Sequence, residues 1–377
     1  MKKYDVILIG GGIAGLMSAH KLCEIGLSVA LVENKNVFAS GPSTRNEGWL
    51  HRGTYHATSI INREEAIQVA RRCIYGHEYI RRFAPEAIED ADKRPLALIK
   101  DASRIDEVMS RWAEAGVTYG HLTKSQAQNR IPDANFKDAA GIFEVDDVSL
   151  NTRLLYRKLI NLSLKSGCEF FLGYEINKIT GKNIFLENKC GEIQHISAEK
   201  IVYSSGVGAK KLFETHHKIA LPIRYWKSHL IITRRLSGPG IFYMDAHAAA
   251  LMHHGKTSIV GFNEDALLTE NADYDVIPER AENIRNGIRS IFPGWDDHDA
   301  VSIACVKIDL QRPESNNRSL NVAISEPVPG HILILPGKMT ETPYLTDLLV
   351  AYLHNAIDST DVSLRPCDNS NKLENIT

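Results

Sequence analysis

Two short unbroken apolar runs open the chain, at residues 6–9 and 29–32, the pattern of strands buried on both faces. Between them the period changes. Leu16, Ala19 and Leu22 fall at helical spacing and Gly26 stops the helix, so a strand–helix–strand unit is predicted. A helix follows over 63–83, with Ala66, Val69, Ala70, Cys73, Ile74 and Ile80 on one stripe. Residues 94–145 break the rhythm, with a strand at 96–99, a helix at 105–115 and turns. The rhythm returns in a helix from 149 to 167, with Leu154, Leu155, Leu159 and Leu162 inside. A strand at 168–172 follows, then an antiparallel meander at 175–179, 183–188 and 193–197. A separate apolar strand at 201–203 runs into small residues up to Gly208, ahead of a helix near 209–213. Between 222 and 306 the pattern predicts antiparallel strands at 229–233, 241–244, 249–253 and 258–262, a helix at 278–292 and a strand at 301–308. The chain closes with strands at 320–325 and 332–335 and a helix over 344–357.

The order is therefore interrupted: nucleotide-type α/β segments alternate with two excursions. A length of 377 residues suits about two domains. The net charge of −2 argues against a nucleic-acid footprint. No run of about 18 apolar residues predicts a membrane span, and the strand that begins almost at Met1 leaves no room for a cleaved leader. The six cysteines are scattered with no C-x-x-C pair, which predicts reduced thiols, no metal cluster and a cytoplasmic protein.

The junction between the first strand and helix carries Gly10, Gly12 and Gly15 in G-x-G-x-x-G spacing. Gly10 permits the tight turn, Gly12 lets the backbone approach a pyrophosphate, and Gly15 lets the helix pack close on the strand. The helix N-terminus, at Ile13 and Ala14, offers N–H groups and partial positive charge to phosphates. Glu33, about twenty residues on at the end of the second strand, suits a ribose hydroxyl. Residues 43–56 form a polar, cationic loop able to wrap a ligand, and Ser205 and Gly206 mark a second place where backbone could meet a nucleotide.

These residues resemble FAD-dependent oxidoreductases of the D-amino-acid oxidase superfamily. The segment Arg45-Asn-Glu-Gly-Trp-Leu-His-Arg-Gly53 is similar to the N-S-G-x-x-H-x-G stretch of its hydroxyglutarate and glycerophosphate branches. Residues 336–340, Pro-Gly-Lys-Met-Thr, are similar to the G-G-K-x-T flavin-contacting turn of glycerol-3-phosphate dehydrogenases. The resemblance implies an α/β fold: a Rossmann-like FAD-binding domain (1–85, 146–218, 307–377) interleaved with an α+β substrate domain on an antiparallel sheet (86–145, 219–306). It implies FAD held by Gly10, Gly12, Ile13, Ala14, Gly15, Glu33 and Asn34. Thr44, Arg45, Asn46, Gly48, His51, Ile176, Ser205, Gly206, Gly337, Lys338, Met339 and Thr340 complete the expected contacts.

The resemblance also implies hydride transfer from a small polar hydroxylated substrate, a 2-hydroxy acid or related alcohol, to the flavin. Loss of the alcohol proton calls for a base, and histidine, with an unperturbed pKa of about 6.5, is the natural one. His51 is the first candidate, with His56 and His253 in reserve. Lys338 is expected to stabilise the anionic reduced flavin. Where several relatives carry A-G-L-R-P, this chain has Ala304-Cys-Val-Lys307, so Lys307, or else Arg312, is the expected anion holder; lysine supplies charge without the bidentate fork. Arg45 and Arg52 are further cation candidates. An amine or amino-acid oxidase and a non-catalytic flavin sensor are the rival readings. The electron acceptor (oxygen, quinone or protein) is open, and so is peripheral membrane contact.

Overall fold

The opening strand spans Lys2–Ile9, and its alternation divides two cores. The computed structural model describes residues 1–245, 247–263, 265–311 and 318–354. Val6 and Leu8 face a core built with Leu16 and Leu22 of the helix Ile13–Glu24 and with Leu345 and Leu349 of the helix Thr342–Leu353. Ile7 and Ile9 face the other side, with Phe213 of the helix Ala209–His217 and with Ile184 and Leu186 of the strand Asn183–Asn188. A run with no polar position must be covered on both faces, which is what the two cores accomplish.

The first sheet has eight strands in the order Tyr174–Thr180, Asn183–Asn188, Ile193–Tyr203, Lys2–Ile9, Val29–Glu33, Glu169–Leu172. His331–Leu335 also pairs with Ile193–Tyr203, and Ala323–Val328 lies beyond it. Ile193–Tyr203 is one strand of 11 residues where the apolar pattern predicts two. Its first half pairs antiparallel with Asn183–Asn188 and its last three residues pair parallel with His331–Leu335. From Ile196 onward it also lies parallel to the opening strand. Exposed Glu199 interrupts the pattern, but residues 198–200 contain no Gly or Pro to break the backbone.

The second sheet has nine strands and is mostly antiparallel. Its long member, Ile223–Arg234, runs 12 residues, well beyond the predicted 229–233. Polar residues hide its length, because they are buried against partners: Arg224 Nη2 lies 2.6 Å from buried Asp309 Oδ2, and buried Lys227 Nζ lies 2.6 Å from Oδ2 of the more exposed Asp273. The strand Val301–Leu310 lies beside it, placing Lys307 opposite Trp226. A third, small sheet joins Trp49–Leu50, Val148–Leu150 and Ile88–Glu89.

Several helices match their predicted limits, including Arg63–Phe83 and Ile105–Ala115. The last helix begins at Thr342, with Pro343 in its first turn, and its predicted end at 357 lies outside the described residues. Among the described residues no helix is long and apolar enough to cross a membrane, and no group of three or more His, Cys, Asp or Glu could hold a metal ion.

Candidate functional site

The glycine turn is tight for reasons visible in its contacts. Gly10 has φ +109°, and a Cβ on it would stand 2.5 Å from Ser205 Cα. A Cβ on Gly15 would stand 1.9 Å from the Gly10 carbonyl oxygen, so glycine there lets the helix seat against the turn. The first helical amide, Ile13 N–H, donates to Ser43 Oγ at 3.0 Å, which ties the loop of residues 40–47 over the helix N-terminus. Ser204 Oγ donates to the Gly10 carbonyl at 2.9 Å, tying in the second nucleotide-type turn. Glu33 accepts from Gly11 N–H at 2.8 Å and Lys35 N–H at 2.9 Å. A carboxylate has about four acceptor positions, so Glu33 retains capacity toward a ligand.

From this turn a continuous cavity of about 1020 Å³ runs to the second sheet. Gly10, Gly12, Ile13, Ala14, Glu33 and Asn34 line it, together with Ile176, Ser205 and Gly206. Arg45, Asn46, His51, Gly337, Lys338, Met339 and Thr340 also line it, joined by Lys307 from the nine-stranded sheet. Ser205 Oγ is buried without a hydrogen-bond partner among the described residues.

His51 stands on the segment that follows the small sheet. Its backbone N–H donates to Thr340 Oγ1 at 3.2 Å, joining it to the turn of Lys338. Behind it, Asp147 is fully buried and accepts from Trp49 Nε1 at 2.8 Å, from Arg52 N–H at 3.0 Å and from Thr54 Oγ1. Asp147 Oδ1 lies 3.9 Å from His51 Nδ1. Burial, then the charges of Lys338 and Lys307, push the imidazole well below its ordinary value, so it is neutral at pH 7. Burial also lowers the Lys338 amine, to about 7, with Arg318 and Lys307 adding to the effect. At the mouth, the Arg45 guanidinium lies 5.2 Å from the centre of the Tyr274 ring.

Other expected residues sit elsewhere. His253 is a structural residue: its Nδ1 lies 2.7 Å from Ser258 Oγ, and its Nε2 lies 2.9 Å from both Ser237 Oγ and the Pro239 carbonyl. Both ring nitrogens are engaged away from the cavity, which removes it as a base. His56 is buried behind His51, edge-on to it at 4.3 Å between ring centres, and does not line the cavity. Arg52 is engaged by Thr118 and Glu78. Thr44 donates to the Ala39 carbonyl at 2.6 Å and braces the loop. Gly48 and Gly15 shape the backbone without reaching the cavity; a Cβ on Gly48 would stand 2.4 Å from the His254 ring. Arg312 lies outside the described residues.

Ser43 and Glu47 are legible only as members of the ligand-wrapping loop, and Tyr274 and Arg318 carry no signal in the sequence as cavity residues. Each lies in a loop whose course depends on distant contacts. For Arg318 the only available hint was a cation shortly after the Lys307 strand. Its Nε is buried without a hydrogen-bond partner among the described residues.

A family model described as FAD dependent oxidoreductase (DAO) matches residues 5–331. The chain is 25% identical over 218 residues to one component of the anaerobic glycerol-3-phosphate dehydrogenase of Escherichia coli (strain K12), covering 56% of this chain and 39% of that protein. It is 22% identical over 215 residues to L-2-hydroxyglutarate dehydrogenase of Salmonella houtenae, covering 55% of this chain and 49% of that protein. The matches thus span less than half the length of these curated relatives. Among solved structures, glycine oxidase from Geobacillus kaustophilus superposes with a TM-score of 0.73 at 19% identity, covering 97% of this chain and 99% of the other. L-alpha-glycerophosphate oxidase from Mycoplasma pneumoniae with FAD bound superposes with a TM-score of 0.72 at 14% identity, covering 94% and 95%. At such identities the likeness to solved structures is one of fold.

Proposed function

Because this chain belongs to the DAO family of FAD-dependent oxidoreductases, we propose that it oxidises a small anionic hydroxylated substrate, a 2-hydroxy acid or related alcohol, to the carbonyl. The observation that carries this reading is the charge lining the cavity, where Lys307, Arg318 and Lys338 share one chamber with His51 and the glycine turn.

The residues present suit FAD. Glycines at 10 and 12 leave a backbone cradle at a helix N-terminus, where a Cβ on Gly12 would already stand 3.1 Å from Ser43 Oγ. Glu33 keeps acceptor capacity for a ribose, and Ser205, whose buried hydroxyl has no partner among the described residues, lines the cleft beside them. When bound, FAD supplies the hydride acceptor. The remaining work belongs to the chain. Lys307 and Arg318 hold the anionic group of the substrate and so orient the C–H to be broken. Neutral His51 receives the hydroxyl proton, and Asp147, behind Nδ1, favours the imidazolium that forms. Lys338 supplies positive charge where negative charge accumulates, aided by the N–H groups of its turn. On this reading the two larger sheets are the centres of a cofactor domain and a substrate domain.

A second reading, oxidation of an amine or amino acid, has one observation in its favour: the Glu47 carboxylate in the same chamber suits an ammonium group. Anaerobic addition of substrates to the yellow holoprotein tests both. Bleaching of the visible flavin band by short 2-hydroxy acids and not by the matching amino acids is the expected result. Bleaching by amines alone would transfer the assignment to the second reading.

A further inference from the structure

Glu47 has no part in the steps above, yet the fold makes room for it. Its Oε1 lies 2.8 Å from where a Cβ would stand on Gly261, so the carboxylate uses space that glycine leaves in the antiparallel sheet. The backbone behind it is braced. His254 donates from Nε2 to the Glu47 carbonyl at 2.8 Å and from Nδ1 to Glu89 at 2.6 Å. Burial opposes the second proton on His254, but Glu89 and that carbonyl outweigh it and raise the imidazole above its ordinary value.

Lys307, Lys338 and Arg318 line the same cavity as Glu47. Burial would raise the Glu47 carboxyl, but Lys307, the backbone amide, Lys338 and Arg318 together hold it below the usual carboxylate range. Among the described residues, however, these cations act on it through charge alone, and the one hydrogen bond to it comes from its own backbone. An ionised carboxylate that lines a cavity and is not spent on the cations around it keeps acceptor capacity, and such a group gains most from a ligand that brings a donor.

We infer that Glu47 determines specificity by accepting a hydrogen bond from a second hydroxyl or an ammonium group of the substrate, separate from the reacting hydroxyl whose proton passes to His51. The preferred substrate then combines that donor with the anionic group held by Lys307 and Arg318. This rests on the anionic-substrate reading above. Glu47 is a positioning residue in this scheme, and the proton acceptor remains His51.

The test uses FAD-loaded protein titrated anaerobically with lactate, glycerate and isoserine, which share the reacting hydroxyl at carbon 2 and differ at carbon 3 in bearing hydrogen, hydroxyl or ammonium. 2-Hydroxybutanoate and its counterparts bearing a hydroxyl or an ammonium group on the last carbon repeat the series on a longer skeleton. Binding is read from the initial perturbation of the flavin spectrum, before any bleaching. In at least one series a donor-bearing acid should bind about tenfold tighter than its plain counterpart, the size of one hydrogen bond to a charged group. Whether hydroxyl or ammonium gains more identifies the donor. Glu47→Gln should shrink that preference to within about threefold and leave the plain acid bound as well or better. Glu47→Ser should do the same, and unchanged FAD stoichiometry shows that both variants fold. Equal binding by the wild type, or a preference that survives both variants, overturns the role of Glu47 while the anionic reading stands. No binding of any acid overturns both.

Discussion

At the residue scale the chemistry turns on how burial sets charge. His51 was legible as a histidine in a family-like segment, but its neutrality was not, since that comes from burial beside Lys338 and Lys307. His51→Ala should lower the rate of anaerobic flavin reduction by about a hundredfold or more with FAD still bound, the usual contribution of a placed base. A variant that reduces flavin at the normal rate would remove His51 from that role. Lys307→Ala should raise KM by about tenfold with a smaller change in kcat, as expected for a group that holds an anion equally in ground and transition states. Lys338 gives a pH signature. Its amine titrates near 7 in the folded chain, so above that value it loses charge, and anion affinity should weaken as pH rises through it. The stability effect has the opposite direction. Between about 7 and the ordinary lysine value the unfolded chain holds a proton that the folded chain has lost, so this residue's contribution to stability rises with pH across that window. Melting temperatures of apoprotein should therefore show Lys338→Met gaining more over wild type at pH 6 than at pH 9.

At the scale of elements, the contact between the helix Arg63–Phe83 and the turn of Lys338 carries the most consequence. A Cβ on Gly76 would stand 1.7 Å from the Thr340 carbonyl oxygen, so the helix and turn touch backbone to backbone. Four residues earlier, Arg72 Nε lies 2.6 Å from Glu341 Oε1, both side chains almost wholly buried. Gly76→Ala should displace the turn, cost about 1–3 kcal/mol in chemical denaturation and weaken FAD retention on a desalting column. Full FAD occupancy with unchanged stability would show that the turn tolerates displacement. The apolar stripe predicted this helix, because its period is local. It did not predict what the polar edge of the helix meets, since Glu341 lies 269 positions away. The same limit explains Ile223–Arg234, whose buried Arg224 and Lys227 read as surface residues until their partners are known.

At the scale of the whole molecule, the cavity depends on the glycine turn, the loop after it and the second sheet arriving together. Gly12→Val should yield colourless protein, because a side chain there meets Ser43 and fills the phosphate cradle. Retention of yellow colour would place the cofactor elsewhere. What the sequence by itself determined is the set of features with a local cause. These are the strand–glycine–helix unit, the acid at Glu33, most helices, and the two kinds of segment that alternate along the chain. Tertiary structure decided what depends on contacts between remote segments. It merged two predicted strands into Ile193–Tyr203, because a continuous backbone can pair with different partners along its length. It engaged His253 in hydrogen bonds and set His56 behind His51. It also brought Glu47 and Arg318 into the chamber of Lys307. The physical reason is that periodicity encodes which face of an element is buried, whereas charge state and ligand access depend on what other parts of the chain place against that face.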